Sequence, residues 1–137
     1  MPDPSAPPPI PPTAWPAQLS QEEIDGGKVM AILSYIPVVG VIVSIVALAI
    51  RDNAFSLYHA KQALLIWIIV FVASYTVGVF HFFYVFGSMI RLLAGVCDVF
   101  GLVAIIIGLI NSSAGQCKPL PLVGVWAEQW FASIRKK

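Results

Sequence analysis

Few side chains in this sequence have the chemistry to act on another molecule, so their spacing decides whether they can act together. The 137 residues include two cysteines, Cys97 and Cys117, and two histidines, His59 and His81. On a helix, the cysteines are about 30 Å apart and the histidines about 33 Å. Neither pair makes a disulfide or a metal site at that separation, and Cys97 reads as a buried, inert thiol. No HExxH, GxSxG or Walker-type loop occurs, and no two carboxylates are spaced for paired acid-base work. The sequence therefore reads as a non-enzyme with no cofactor and no metal site.

Asp98 is the ionisable residue that asks for a partner. It lies inside an apolar run, about 10 Å along a helix from Arg91, at a depth where a lone carboxyl is costly. If the second and third apolar runs form an antiparallel hairpin turning near Gly87 and Ser88, Ser74 and Tyr75 fall level with Asp98 and can donate to it. Three readings stay open: a polar contact joining the helices, a proton or ion relay, and contact with a partner subunit. Arg91 is expected to snorkel toward headgroups.

His59 and Gln62 lie one helical turn apart and project from one helix face. The chain after Asn111 returns to their level, so one of them is expected to hydrogen-bond residues Asn111 to Leu122. That bond would tie the Pro119-Leu120-Pro121 turn to the helices, because proline leaves carbonyls without regular partners.

The elements that must position these residues follow from composition. Hydrophobic residues make up 58% of the chain and charged residues 11%, with mean hydropathy +0.85. A soluble domain carries roughly 25% charge, so this is the composition of a membrane protein. A net charge of +1 also excludes a nucleic-acid partner, which needs a dense basic patch. The expected fold is all-α and integral to the membrane, with three transmembrane helices.

The spans are expected over about 29–50, 60–83 and 89–111, each long enough to cross the roughly 30 Å hydrocarbon core. Pro37 should kink the first span. Phe55, Tyr58, His59 and Lys61 are expected at headgroup level, Ser56 as a helix cap, and the aromatics of His81 to Gly87 at the opposite interface. Gly40 with Ser44, and Ala104 with Gly108, are small-residue pairs that let helices approach closely. Residues 1–27 hold eight of the eleven prolines and read as a disordered tail, leaving 28–137 as the membrane domain. A short amphipathic helix over about 121–135 is expected in the interface, anchored by Trp126 and Trp130.

Three spans place the chain ends on opposite sides. The first connection and the C-terminal tail hold Arg51, Lys61, Lys118, Arg135, Lys136 and Lys137, so the positive-inside rule sets the C-terminus in the cytoplasm and the N-terminus outside.

The segment Phe55-Ser-Leu-Tyr-His-Ala-Lys-Gln-Ala-Leu-Leu65, followed after the last span by the Pro-Leu-Pro ending, resembles the Tic-twenty-like superfamily of small bacterial membrane proteins. Chloroplast import-channel subunits are its best-known members, and MamF-type magnetosome proteins are similar to it. The resemblance covers about Lys28 to Phe131 and implies no catalytic residues. The function expected is that of a noncatalytic structural or assembly protein of the bacterial inner membrane. Its expected partners are the lipid bilayer and either further copies of the chain or another membrane protein. The rival reading is an oligomeric transport or translocation channel lined by Ser34, Ser44, Ser74 and Asp98.

Overall fold

A computed structural model describes residues 19–80 and 84–137, the side chains of 80–87 excepted. It is all-helical among the described residues, with α1 Gln21–Leu33, α2 Val39–Ile50, α3 Ala54–Phe80, α4 Tyr84–Ser113 and α5 Val123–Trp130. The Ser20 hydroxyl caps α1 by accepting the Glu23 N–H at 3.2 Å, and Glu22 and Glu23 favour the first turn of its dipole. Helix thus begins inside the segment expected to be a disordered tail; the rest of that tail, residues 1–18, lies outside the described residues.

The first expected span is not a span. Proline has no N–H to donate, and at Pro37 the helix stops and reverses rather than kinking. Glu23 meets Asn53 and Ala54 at the start of α3, and the Ser34 carbonyl meets Trp67 thirteen residues further along it. Gly40 then packs at the same Trp67. From there α2 runs back to Arg51, beside Ala54. The two helices make a hairpin that reaches about 20 Å along α3 and returns to the end where it began.

Two helices are long and apolar enough to cross a bilayer, within Ala54–Val79 and Ser88–Ser113. Only 28% and 22% of their most apolar windows are buried inside the molecule, so the remaining apolar surface needs lipid rather than water as its solvent. Asn53 caps α3, accepting the Ser56 N–H through Oδ1 at 2.9 Å, a place expected for Ser56. Gly87 and Ser88, expected as the turn, lie within α4, and residues 81–83, with His81, lie outside the described residues. Gly115, with φ +70°, ends α4: Gln116 and Gly115 donate back to Asn111 and Ser112.

The core sits at the end of the molecule where the hairpin, α3, α4 and α5 converge, around Tyr35, Leu65, Trp67, Ala104, Leu120 and Ala127. The C-terminal helix is shorter than the 121–135 expected, because the chain leaves it to pair elsewhere. Lys136 Nζ bonds Glu23 Oε1 at 2.6 Å, and the Lys137 N–H donates to the Arg51 carbonyl at 2.9 Å. These contacts, with two crossing helices instead of three, correct the expected topology: Gln21 and Lys137 lie at the same end.

In a chain with Cys97 and Cys117 replaced by alanine, single cysteines at Ser20 and Lys137 should react with a membrane-impermeant maleimide from the same side. One at Ser88 should react from the other. Labelling of Ser20 and Lys137 from opposite sides would restore the three-span arrangement.

Candidate functional site

The segment Phe55 to Gln62 is buried on every side. Phe55, Tyr58, His59 and Lys61 are at most 2% exposed, where headgroup contact was expected. His59 Nε2 lies 3.0 Å from the Gln116 carbonyl, and Nδ1 lies 3.2 Å from the Tyr35 hydroxyl. A carbonyl only accepts, so Nε2 carries the proton; the neutral ring then accepts from Tyr35 through Nδ1. The rings of Phe55 and Tyr58 meet the imidazole edge-on at 4.8 and 5.4 Å. One turn on, Gln62 Oε1 accepts the Leu120 N–H at 2.9 Å, between the two prolines, while its Nε2 is buried without a partner. This cluster joins the tip of α1, the start of α3 and the loop after α4.

A second polar pair, a buried lysine with a half-buried glutamate, holds α5. Lys61 Nζ stands 3.6 Å from Glu128 Oε2, and Glu128 Oε1 is buried without a hydrogen bond. Burial pushes the Glu128 carboxyl up, and the Lys61 ammonium beside it offsets that only in part. Burial also pushes the Cys117 thiol up to about 12, which leaves it a poor nucleophile.

The small-residue positions Gly40, Ser44, Ala104 and Gly108 all face inward. A methyl at Gly108 would overlap the Tyr35 ring, and one at Gly40 would overlap the Ser34 carbonyl. Trp126 and Trp130 are exposed and close one end of an apolar cleft of about 420 Å³ between α3 and α4. The cleft offers room for an apolar chain and almost no polar atom for chemistry. Asp98, Ser74 and Tyr75 are exposed, and among the described residues no hydrogen bond joins Asp98 to either of the others. A carboxylate at the centre of a span costs about 2.5–3.5 kcal/mol on insertion scales.

Several functional contacts escaped the sequence reading, chiefly Tyr35, the Trp67 indole on the Ser34 carbonyl, and Lys61 with Glu128. One signal was legible: Ile36-Pro-Val-Val-Gly-Val41 repeats as Leu120-Pro-Leu-Val-Gly-Val125. Both copies fold alike. Val38 and Leu122 take φ of 67° and 61°, so that Val39 and Val123 donate to Pro37 and Pro121 in tight three-residue turns. Gly40 and Gly124 then donate to Ile36 and Leu120, starting α2 and α5.

Replacing Gln62 with leucine strands the Leu120 N–H in the interior, and should cost about 1–3 kcal/mol in reversible unfolding in detergent. A variant as stable as the parent would show that the loop does not depend on Gln62. Lys136 and the Ala54 N–H hold the Glu23 carboxyl below the usual carboxylate range. A lowered folded pKa stabilises above the unfolded value of about 4.3 and is lost as pH falls through the folded one. The thermal-midpoint advantage of the parent over Glu23→Gln should therefore be constant near neutrality and shrink in acid; a pH-independent gap would refute the assignment.

A family model described as the magnetosome magnetite crystal formation protein family matches residues 27–127, from within α1 to within α5. No curated protein matches the chain, and no solved structure matches it. With well over half its length covered, including most of the hairpin, both crossing helices and the buried cluster, the chain belongs to the magnetosome magnetite crystal formation protein family.

Proposed function

We propose that this chain is a noncatalytic structural or assembly subunit of the magnetosome membrane or of the bacterial inner membrane, serving crystal formation. The observation that carries the reading is where the polar side chains go. His59, Gln62 and Lys61 are spent on holding the hairpin, loop and α5 together. The small-residue faces expected for partners are spent inside the chain as well. What faces outward is apolar surface, the Asp98 face of α4 and the Tyr75 face of α3. A hairpin of two crossing helices encloses no pore, which weighs against a self-sufficient channel.

With Gln21 and Lys137 on one side, seven of the eight basic residues fall there: Lys28, Arg51, Lys61, Lys118, Arg135, Lys136 and Lys137, against Arg91 on the other. The positive-inside rule makes that side cytoplasmic, so the start of α1 and the C-terminus face the cytoplasm. The Phe55 to Leu65 segment supports a distant relation to the Tic-twenty-like superfamily, through its role in packing rather than any pore.

A deletion strain of a magnetite-forming bacterium tests the reading. Loss of the chain should change crystal size or number while cellular iron uptake stays unchanged, and proteoliposomes of the chain should hold a proton or ferrous-iron gradient as long as empty ones. Protein-dependent flux, or a parallel fall in uptake, would favour the transport component instead.

A further inference from the structure

The hairpin of α1 and α2 covers α3 only as far as Trp67. Beyond that level α3 packs against α4, with Trp126 and Trp130 of α5 closing one end of the cleft between them, and most of the outward surface of both helices is uncovered. Within that surface one stripe on α3 is Phe71, Tyr75 and Gly78, and one on α4, the stripe that carries the exposed carboxyl, is Arg91, Gly95, Asp98 and Leu102. The α4 spacing of four, three and four residues is that of a helix-packing seam. Gly78 and Gly95 have nothing within 4 Å of where a side chain would stand. Neither stripe faces the seam between α3 and α4, where Gly101 meets Val70.

Depth can be counted from that contact, since the helices are antiparallel. Asp98 lies about 4.5 Å beyond Gly101, and Tyr75 about 7.5 Å beyond Val70 in the same direction. Side chains on helices lean toward the N-terminus, which carries the Tyr75 hydroxyl back toward the Asp98 level. Gly95 and Gly78 likewise fall within about 3 Å of each other in depth. The chain thus carries an exposed acceptor on one outer face and an exposed donor on the other, each beside a glycine that admits a neighbouring helix. Seven of eight basic residues at one end orient all copies alike, so the two faces meet at equal depth.

We propose that the Asp98 face of α4 is the docking surface for the Tyr75 face of α3 in a second copy of this chain. The Tyr75 hydroxyl of one copy donates to the Asp98 carboxyl of the next. Gly78 opposite Gly95 lets the backbones approach, and the lipid-exposed carboxyl gains a partner, where among the described residues of its own chain it has none. Donor and acceptor lie on different faces, so the contact is head-to-tail: it builds a row or closes a ring rather than stopping at a symmetric pair. This inference rests on the assembly reading above and names its partner and surface.

The test uses the full chain in lipid vesicles, with Cys97 and Cys117 replaced by alanine. One tagged copy carries Gly78→Cys and a differently tagged copy carries Gly95→Cys. Oxidation should join the two when they are mixed, and neither alone. In the otherwise unaltered chain, Tyr75→Phe or Asp98→Leu should weaken association about three- to tenfold, while Asp98→Asn, which still accepts, retains most of it. Both sites are exposed, so these variants keep the fold. Disulfides only between two Gly95→Cys copies, or association untouched by Asp98→Leu, would overturn this interface and leave the assembly reading standing. A chain monomeric in both detergent and vesicles would overturn it too, whereas the assembly reading falls only to the flux and uptake results named above.

Discussion

The structure depends on the burial of one polar turn of helix at the start of α3. In a bilayer-facing molecule a backbone carbonyl that leaves its helix finds no water, so protein must supply its donor. His59 does this for Gln116 and holds Tyr35 with its other nitrogen. Gln62 does the converse, accepting the N–H of Leu120 between two prolines. Because these bonds run from α3 both to the hairpin and to the loop after α4, the three cannot shift separately.

The two Pro-x-Val-Gly-Val segments show how strain is tolerated in such a frame. A valine and a leucine at positive φ are unfavourable conformations that persist only where surrounding contacts over-determine them. Here Trp67 bonds the Ser34 carbonyl beside the first turn and Gln62 bonds Leu120 beside the second. In return, each turn reverses the chain within three residues and starts a helix whose second residue is a buried glycine, close enough to pack on backbone.

The two halves of the molecule are consequently unlike. One end is a packed core of five converging helices, with an ion pair between Lys61 and Glu128 and another between Glu23 and Lys136. The other end is a bare pair of helices with apolar and a few polar groups facing out. For a member of a family named for crystal formation in magnetosomes, this division places rigidity at one membrane face and available surface along the other half.

The sequence by itself determined the solvent and the helices. A 58% hydrophobic chain with 11% charge has too little polar surface for water. Its apolar runs exceed the length a bilayer needs, and one turn between His59 and Gln62 puts two polar groups on one face by helical geometry alone. Only the tertiary structure decided what Pro37 does. A missing N–H is compatible with a kink or with a reversal, and the choice falls to Trp67, His59 and Gly108, partners distant in sequence that seat Ser34, Tyr35 and Gly40 of the reversed chain. That one choice removes a crossing and brings Glu23 to Lys136. It also leaves the outer half of α3 uncovered, because a hairpin of thirteen and twelve residues is too short to reach it.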